Sequence, residues 1–269
     1  NNNSASSGGG VYLSDSSNIS IMNVSISGNT AGQGGGIYST GSNPTLTDVK
    51  VNNNSASQDG GGLKLSSSSP KLTNVDILEN SSGFIGGGMY LEQTNNNTSN
   101  SVPIFDNVII KSNSAVWGGG GILITGPGGD TLSNFQIIGN DSPRGGGMYF
   151  WGGIANTISN VSILDNTAIT GGGIYLYSGL STFNNVTISR NAASTSSSGI
   201  HNNTHNYITI SNSNITNNGS GINDLANETF SNAINNYWGD SSGPYHSSQN
   251  ASGKGDSVNA FVNVDPWLT

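Results

Sequence analysis

The chain has 269 residues, of which 7 are Lys or Arg and 15 Asp or Glu, for a formal net charge of -8; that balance disfavours a nucleic-acid backbone or an anionic membrane surface as partner. There is no cysteine, so no disulfide reports the compartment, and no run approaches the ~18 apolar residues of a bilayer-spanning helix. With 32% hydrophobic residues, 8% charged and 40 Gly, the composition drifts toward that of disordered chains, and only a fixed recurrence of the few apolar residues argues for a fold.

They do recur. From the start, Asn3-Ser4-Ala5 matches Asn54-Ser55-Ala56 in phase with the next Gly triplet, so the chain reads as beginning inside a repeat, as a processed or excised protein would. A Gly triplet opens at Gly8, Gly34, Gly60, Gly86, Gly119, Gly145 and Gly171, at steps of 26, 26, 26, 33, 26 and 26 residues. One apolar residue follows each triplet, from Val11 and Ile37 to Met148 and Ile174. A tyrosine comes next at Tyr12, Tyr38, Tyr90, Tyr149 and Tyr175, with Lys64 and Leu123 in the remaining copies. A second landmark reads Asn-apolar-x-apolar-x-x-Asn. Its first position runs Asn23, Asp48, Asn74, Asn107, Asn134, Asn160, Asn185 and Asn212; its last runs Asn29, Asn54, Asn80, Asn113, Asn140, Asn166, Asn191 and Asn218. A constant period in this range means a solenoid, in which each repeat buries its apolar face only against its neighbours.

Within a repeat the apolar residues alternate with period two, as in Leu63 and Leu65 or Val75 and Ile77, which means strands. The alternation slips by one beside Asn74 and Asn160, and Asn tolerates the left-handed backbone of a tight bend. Each coil is therefore two or three short parallel strands with Asn at two corners and Gly where the walls crowd. About eight or nine coils stacked at ~4.8 Å make a rod on the order of 40 Å long. Seven extra residues in the fourth step, 94–100, predict a polar loop. After residue 234 the repeat gives way to an aromatic and Pro-rich segment, Tyr237-Trp238-Gly239-Asp240 through Asp265-Pro266-Trp267-Leu268. The division is repeats over 1–234 and a cap of the same domain over 235–269, since an open solenoid end exposes core and strand edge.

These columns resemble the repeats of secreted right-handed parallel β-helix proteins of the pectin-lyase-like superfamily. The Gly-Gly-Gly-Ile element with Ile77-Leu78-Glu79-Asn80 or Ile163-Leu164-Asp165-Asn166 is similar to repeats of polymorphic outer-membrane proteins, with Gly in place of their usual Ala and Ile or Val in place of their Phe. The ending from Asn236-Tyr237-Trp238-Gly239-Asp240 to Asp265-Pro266-Trp267 is similar to a terminal segment of bacterial and archaeal β-helix surface proteins. The resemblance implies an all-β, right-handed, single-stranded parallel β-helix, located extracellularly or at the cell surface, with adhesion or surface display as its work.

The same superfamily includes polysaccharide lyases and hydrolases, whose chemistry needs paired carboxylates, or a base beside Asp-bound calcium, in adjacent coils. The columns Ser25, Lys50, Asp76, Ile109, Gln136, Ser162 and Gly28, Asn53, Glu79, Ser112, Gly139, Asp165, Arg190 concentrate no such set. Asp76 and Glu79 beside Lys50 and Asp48 read as solvated surface, and His201, His205 and His246 share no ligand spacing. No catalytic, metal or cofactor residue is expected. Asn23, Asn74, Asn107, Asn134, Asn160, Asn185 and Asn212 are expected to form a structural Asn ladder that hydrogen-bonds along the stack. Tyr12, Tyr38, Tyr90, Tyr149 and Tyr175 fall between two inward residues and are expected to face outward, as ring stacking or as a face for a glycan or partner. Asn18, Asn96, Asn202 and Asn227 open sequons for N-glycosylation. The expectation is a non-enzymatic extracellular β-helix, an adhesin passenger or a head-to-tail filament subunit joined through an uncapped first coil. Its partners would be its own copies, or a host or cell-surface glycan or protein. The alternative is a β-helix that binds or degrades polysaccharide.

Overall fold

A computed structural model describes residues 1–15, 19–92, 103–126, 131–152, 156–203, 207–225 and 231–269. Among them there is no helix, and every strand-to-strand pairing is parallel. The strands form three sheets of 8, 12 and 10 members, each stacked in chain order along one axis. A narrow sheet runs from Ser4–Ser7 to Ala192–Ser196, a tyrosine sheet from Val11–Ser14 to Ser257–Val258, and a long sheet from Ser20–Met22 to Val262–Asn263. This is the solenoid that the period predicts. The register holds through the 33-residue step, with Met89 over Ile122 as Leu63 is over Met89. The predicted loop at 94–100 lies outside the described residues.

Three kinds of corner close each coil. In the long sheet the bend falls at the first Asn column, where Asn74, Asn107 and Asn160 have φ of 53°, 54° and 54°. At the next corner the left-handed residue is not the expected Asn but the residue before it: Asn53, Glu79, Ser112, Asp165 and Arg190 all have φ between 54° and 57°. The tight turn is thus imposed on whatever residue stands there, and the Asn that follows has another task. The third corner is the Gly triplet. Gly34 has φ 59°, and a Cβ at Gly36 would lie 2.7 Å from the Gly62 carbonyl oxygen and from Val51 Cγ1, so the wall admits no side chain.

The core is one continuous file of columns. Ile37, Leu63, Met89, Ile122, Met148 and Ile174 line the tyrosine sheet and Val51, Ile77, Ile110, Ile137, Ile163 and Ile188 face them from the long sheet, all essentially inaccessible. Each repeat leaves its top and bottom for its neighbours to cover, so stability propagates coil by coil. The C-terminal segment does more than lie over the last coil. Its strands Ser257–Val258 and Val262–Asn263 pair onto Ser220–Asp224 and Ser231–Asn232, continuing two sheets by a further rung above the buried Trp238.

Candidate binding face

The buried Asn ladder is the last column of the motif rather than the first. Asn80 is typical: its backbone N–H and its Nδ2 both donate to Asn113 Oδ1, at 2.9 and 3.0 Å, while the same Nδ2 donates to the Val51 carbonyl at 3.0 Å. The pattern repeats from Asn29 to Asn218, where Asp256 takes the place of the next Asn and accepts from Asn218 N–H and Nδ2 and from Gly219 N–H. Asn23, Asn74, Asn107, Asn134, Asn160, Asn185 and Asn212 have exposed side chains instead. They hydrogen-bond side chain to side chain along the surface, Asn74 to Asp48 at 2.9 Å, Asn107 to Asn74 at 3.0 Å, Asn160 to Asn134 at 3.3 Å and Asn185 to Asn160 at 2.7 Å. The left-handed residue before the last Asn turns that side chain inward, which is why the two columns differ.

The tyrosine column also departs from expectation. Tyr12 is 51% exposed, Tyr38 is half-buried, but Tyr90, Tyr149 and Tyr175 are buried, Tyr149 to 1%. They do point away from the main core. There they meet the residues that enter the Gly triplets, forming a second small core of Ile85, Tyr90, Leu123, Tyr149 and Tyr175 roofed by Trp117. Lys64 occupies the same column, its ammonium 5.0 Å from the Tyr90 ring and 5.6 Å from Tyr38, and paired with Asp59 at 3.2 Å. His201 ends the file, stacked on Tyr175 at 5.0 Å, and burial pushes its pKa down to about 4. Burial likewise raises the Tyr90 and Tyr149 hydroxyls. So three of the five tyrosines proposed as a glycan or partner face are interior, and only Tyr12 is largely accessible.

The accessible aromatic surface lies one layer further out. Phe84, Trp117, Trp151 and Tyr177 follow one another along the rod axis, with ring centroids 5.5, 5.0 and 6.4 Å apart. Phe84, Trp151 and Tyr177 are exposed and Trp117 is half-buried. Tyr149 supports the strip from beneath, 5.4 Å from Trp117. The Arg144 guanidinium sits 4.9 Å over Trp117, a cation–π contact at the edge of the strip. Two positions build it. Phe84 and Trp117 stack by main-chain hydrogen bonds in the turn before the Gly triplet, and Trp151 extends from Met148–Trp151 beside a register shift opposite Tyr177 and Ser178. Trp151 falls in a column otherwise made of Thr40, Ser66, Glu92 and Thr125, and that intrusion is the sequence signal for it.

The remaining predicted positions are placed as follows. Asn202 is fully buried and its Nδ2 donates to Asp224 Oδ1 at 2.9 Å, so a glycan has no access there and that sequon is corrected to a structural residue. Asn18, Asn96, Asn227 and His205 lie outside the described residues. Among the described residues the ion pairs are Lys64 with Asp59 and Arg190 with Asp165, neither within the Lys50, Asp76 and Glu79 group. No helix of the described residues is long and apolar enough to cross a membrane, which leaves membrane β-barrels unaddressed.

Among known families, the one described as the right handed beta helix region matches residues 1–108, which include the first four Gly triplets. Neither the curated proteins nor the solved structures contain a match. Architecture and family match agree: the fold is a right-handed parallel β-helix of about eight turns repeating every 26 residues or so.

Proposed function

We propose that this chain is a non-enzymatic extracellular β-helix that works as an adhesin-type surface rod and holds a glycan against its aromatic strip. The observation that carries the reading is the strip itself. Phe84, Trp117, Trp151 and Tyr177 remain accessible in consecutive coils, beside the buried file of Tyr90, Tyr149 and Tyr175. Large exposed aromatic surface on a rigid scaffold marks an interaction site. Ring faces carry the negative lobe of a quadrupole, which suits the polarised C–H groups of a pyranose face. Spacing by coil suits an extended polymer better than a compact ligand. The acidic, cysteine-free and Asn-rich composition accords with secretion.

The test is affinity electrophoresis and calorimetry against a panel of neutral and acidic polysaccharides, with product analysis of the same mixtures. We expect retention without cleavage, and a loss on the order of 2 kcal/mol for Trp151→Ala, the size typical of an aromatic anchor, or roughly thirty-fold in affinity. Binding of no polysaccharide, or equal retention of wild type and variant, would reject the strip as the site. Product release would favour the degrading alternative.

A further inference from the structure

The long sheet is open at one place. Strand Ile104–Lys111 pairs with Lys71–Leu78 along its whole length, from Lys71 opposite Ile104 onward. On its other side the register with Thr131–Ile138 begins only at Val108 opposite Phe135. Strand Thr131–Ile138 pairs fully with the following coil, starting at Thr131 opposite Thr157. Among the described residues, 104–106 and 131–133 therefore face each other without the register that the equivalent residues keep in the neighbouring coils. The exposed Asn file breaks at the same step: Asn107 donates to Asn74 and Asn160 to Asn134, but no bond joins Asn134 to Asn107. Two adjoining open depressions of about 460 and 400 Å³ lie on the sheet surface over this rung.

The core packing changes at the same rung. Phe135 stands in a column otherwise made of Val49, Val75, Val108, Val161 and Val186. It meets Phe105 of the preceding coil edge-to-face, with centroids 5.4 Å apart. Phe183 stands in the same column as Phe105 and meets Phe150 with centroids 6.3 Å apart, yet its strand pairs on both sides. The lapse in register falls where Phe105 of one coil meets Phe135 of the next.

Parallel strands present alternate residues' N–H and C=O groups to each neighbour, so the gap offers main-chain donors and acceptors together, and such groups seek partners. Side chains add Thr131, Ser133, Asn134 and Gln136, and Ile104 supplies an apolar patch that is 55% exposed. One cation, Lys71, and one carboxylate, Asp106, flank the opening, so it carries no net charge. A volume in the range of small-molecule sites (about 300–1,000 Å³), with mixed donors and acceptors around an apolar patch, fits a small ligand.

We propose that this opening binds a neutral polyhydroxylated ligand, one sugar unit or a polyol, whose hydroxyls bridge the separated edges and whose carbon face rests on Ile104. The site is independent of the aromatic strip, which lies on the tyrosine sheet and the turns that enter it. Backbone amide shifts are to be followed by NMR during titration of the full chain with glucose, N-acetylglucosamine, glycerol and, as a charged comparison, glucuronate. The expected result is saturable shifts confined to residues 104–107 and 131–136 with at least one neutral probe. Asp106→Ala and Gln136→Ala remove exposed side chains only, and each should weaken binding about tenfold or more. Phe135→Val, which restores the valine column, should close the rung and abolish the shifts. Should that variant fold poorly, the two surface variants still decide the matter. No local shift with any neutral probe, unchanged affinity in both surface variants, or preference for glucuronate would overturn the proposal. Shifts confined to residues around Trp117 and Trp151 would also overturn it, while supporting the glycan face proposed above.

Discussion

Replacing Asn113 by Ala removes one rung of the buried ladder. Asn113 Oδ1 accepts from Asn80 N–H and Nδ2, at 2.9 and 3.0 Å, and its Nδ2 donates to the Ile77 carbonyl at 2.9 Å and to Asn140 Oδ1 at 3.0 Å. The variant leaves the Asn80 N–H and the Ile77 carbonyl buried without these partners. The amide of Asn80 keeps its bond to Val51, and Asn140 Oδ1 keeps the Asn113 main-chain donor. At about 1–3 kcal/mol for each of the two stranded groups, the loss is about 2–6 kcal/mol, a large part of the ~5–15 kcal/mol that holds a typical domain. In a solenoid the damage also uncouples the coils on either side, so a urea transition followed by far-UV circular dichroism should move to lower urea and broaden. Asn107→Ala, on the exposed column with one surface contact and a left-handed φ of 54°, should cost on the order of 1 kcal/mol, chiefly backbone strain. Equal, mild effects of the two substitutions would refute the assignment of the buried column as the structural one.

Two further outcomes follow from the packing. A Cβ at Gly61 would run into the carbonyls of Ser81 and Gly87, so Gly61→Ala should give little soluble protein, whereas Gly152→Ala, with Ser178 Oγ at 3.8 Å, should fold, destabilised only by the strain of its left-handed φ of 86°. His201 has its pKa lowered from 6.5 to about 4 by burial. Its neutral form is the one the fold retains, so stability present above pH ~6.5 should be lost as pH falls toward ~4, and His201→Gln should flatten that part of a thermal-melt pH profile.

Much of the architecture is readable in the residues because each structural task recurs. Ile37, Leu63 and Met89 do the same thing in successive coils, and repetition exposes the columns. What distinguishes the two Asn columns is not repetition but a left-handed residue before one of them, occupied by Asn53, Glu79, Ser112 or Arg190, whose type carries no signal. The outward direction of the Tyr column is correct as alternation predicts. Its burial depends on Ile85 and Trp117, which reach it from the turn before the triplet. The aromatic strip escapes a column-wise search because Phe84 and Trp117 stand in one column and Trp151 in another, and they join only when the coils are stacked. The sheet opening is hidden for the same reason: Phe105 and Phe135 sit in separate columns and meet only when coils are stacked.

The most direct measurement of the central claim is a polysaccharide titration followed by intrinsic tryptophan fluorescence in the wild type and in a Trp117→Ala, Trp151→Ala variant. Trp238 is buried at the far end of the rod and serves as the internal reference. A saturable change in the wild type that vanishes in the variant, with unchanged circular dichroism, is the predicted result. A change that persists in the variant, or no change with any polysaccharide, would contradict a glycan-binding rod built around this strip.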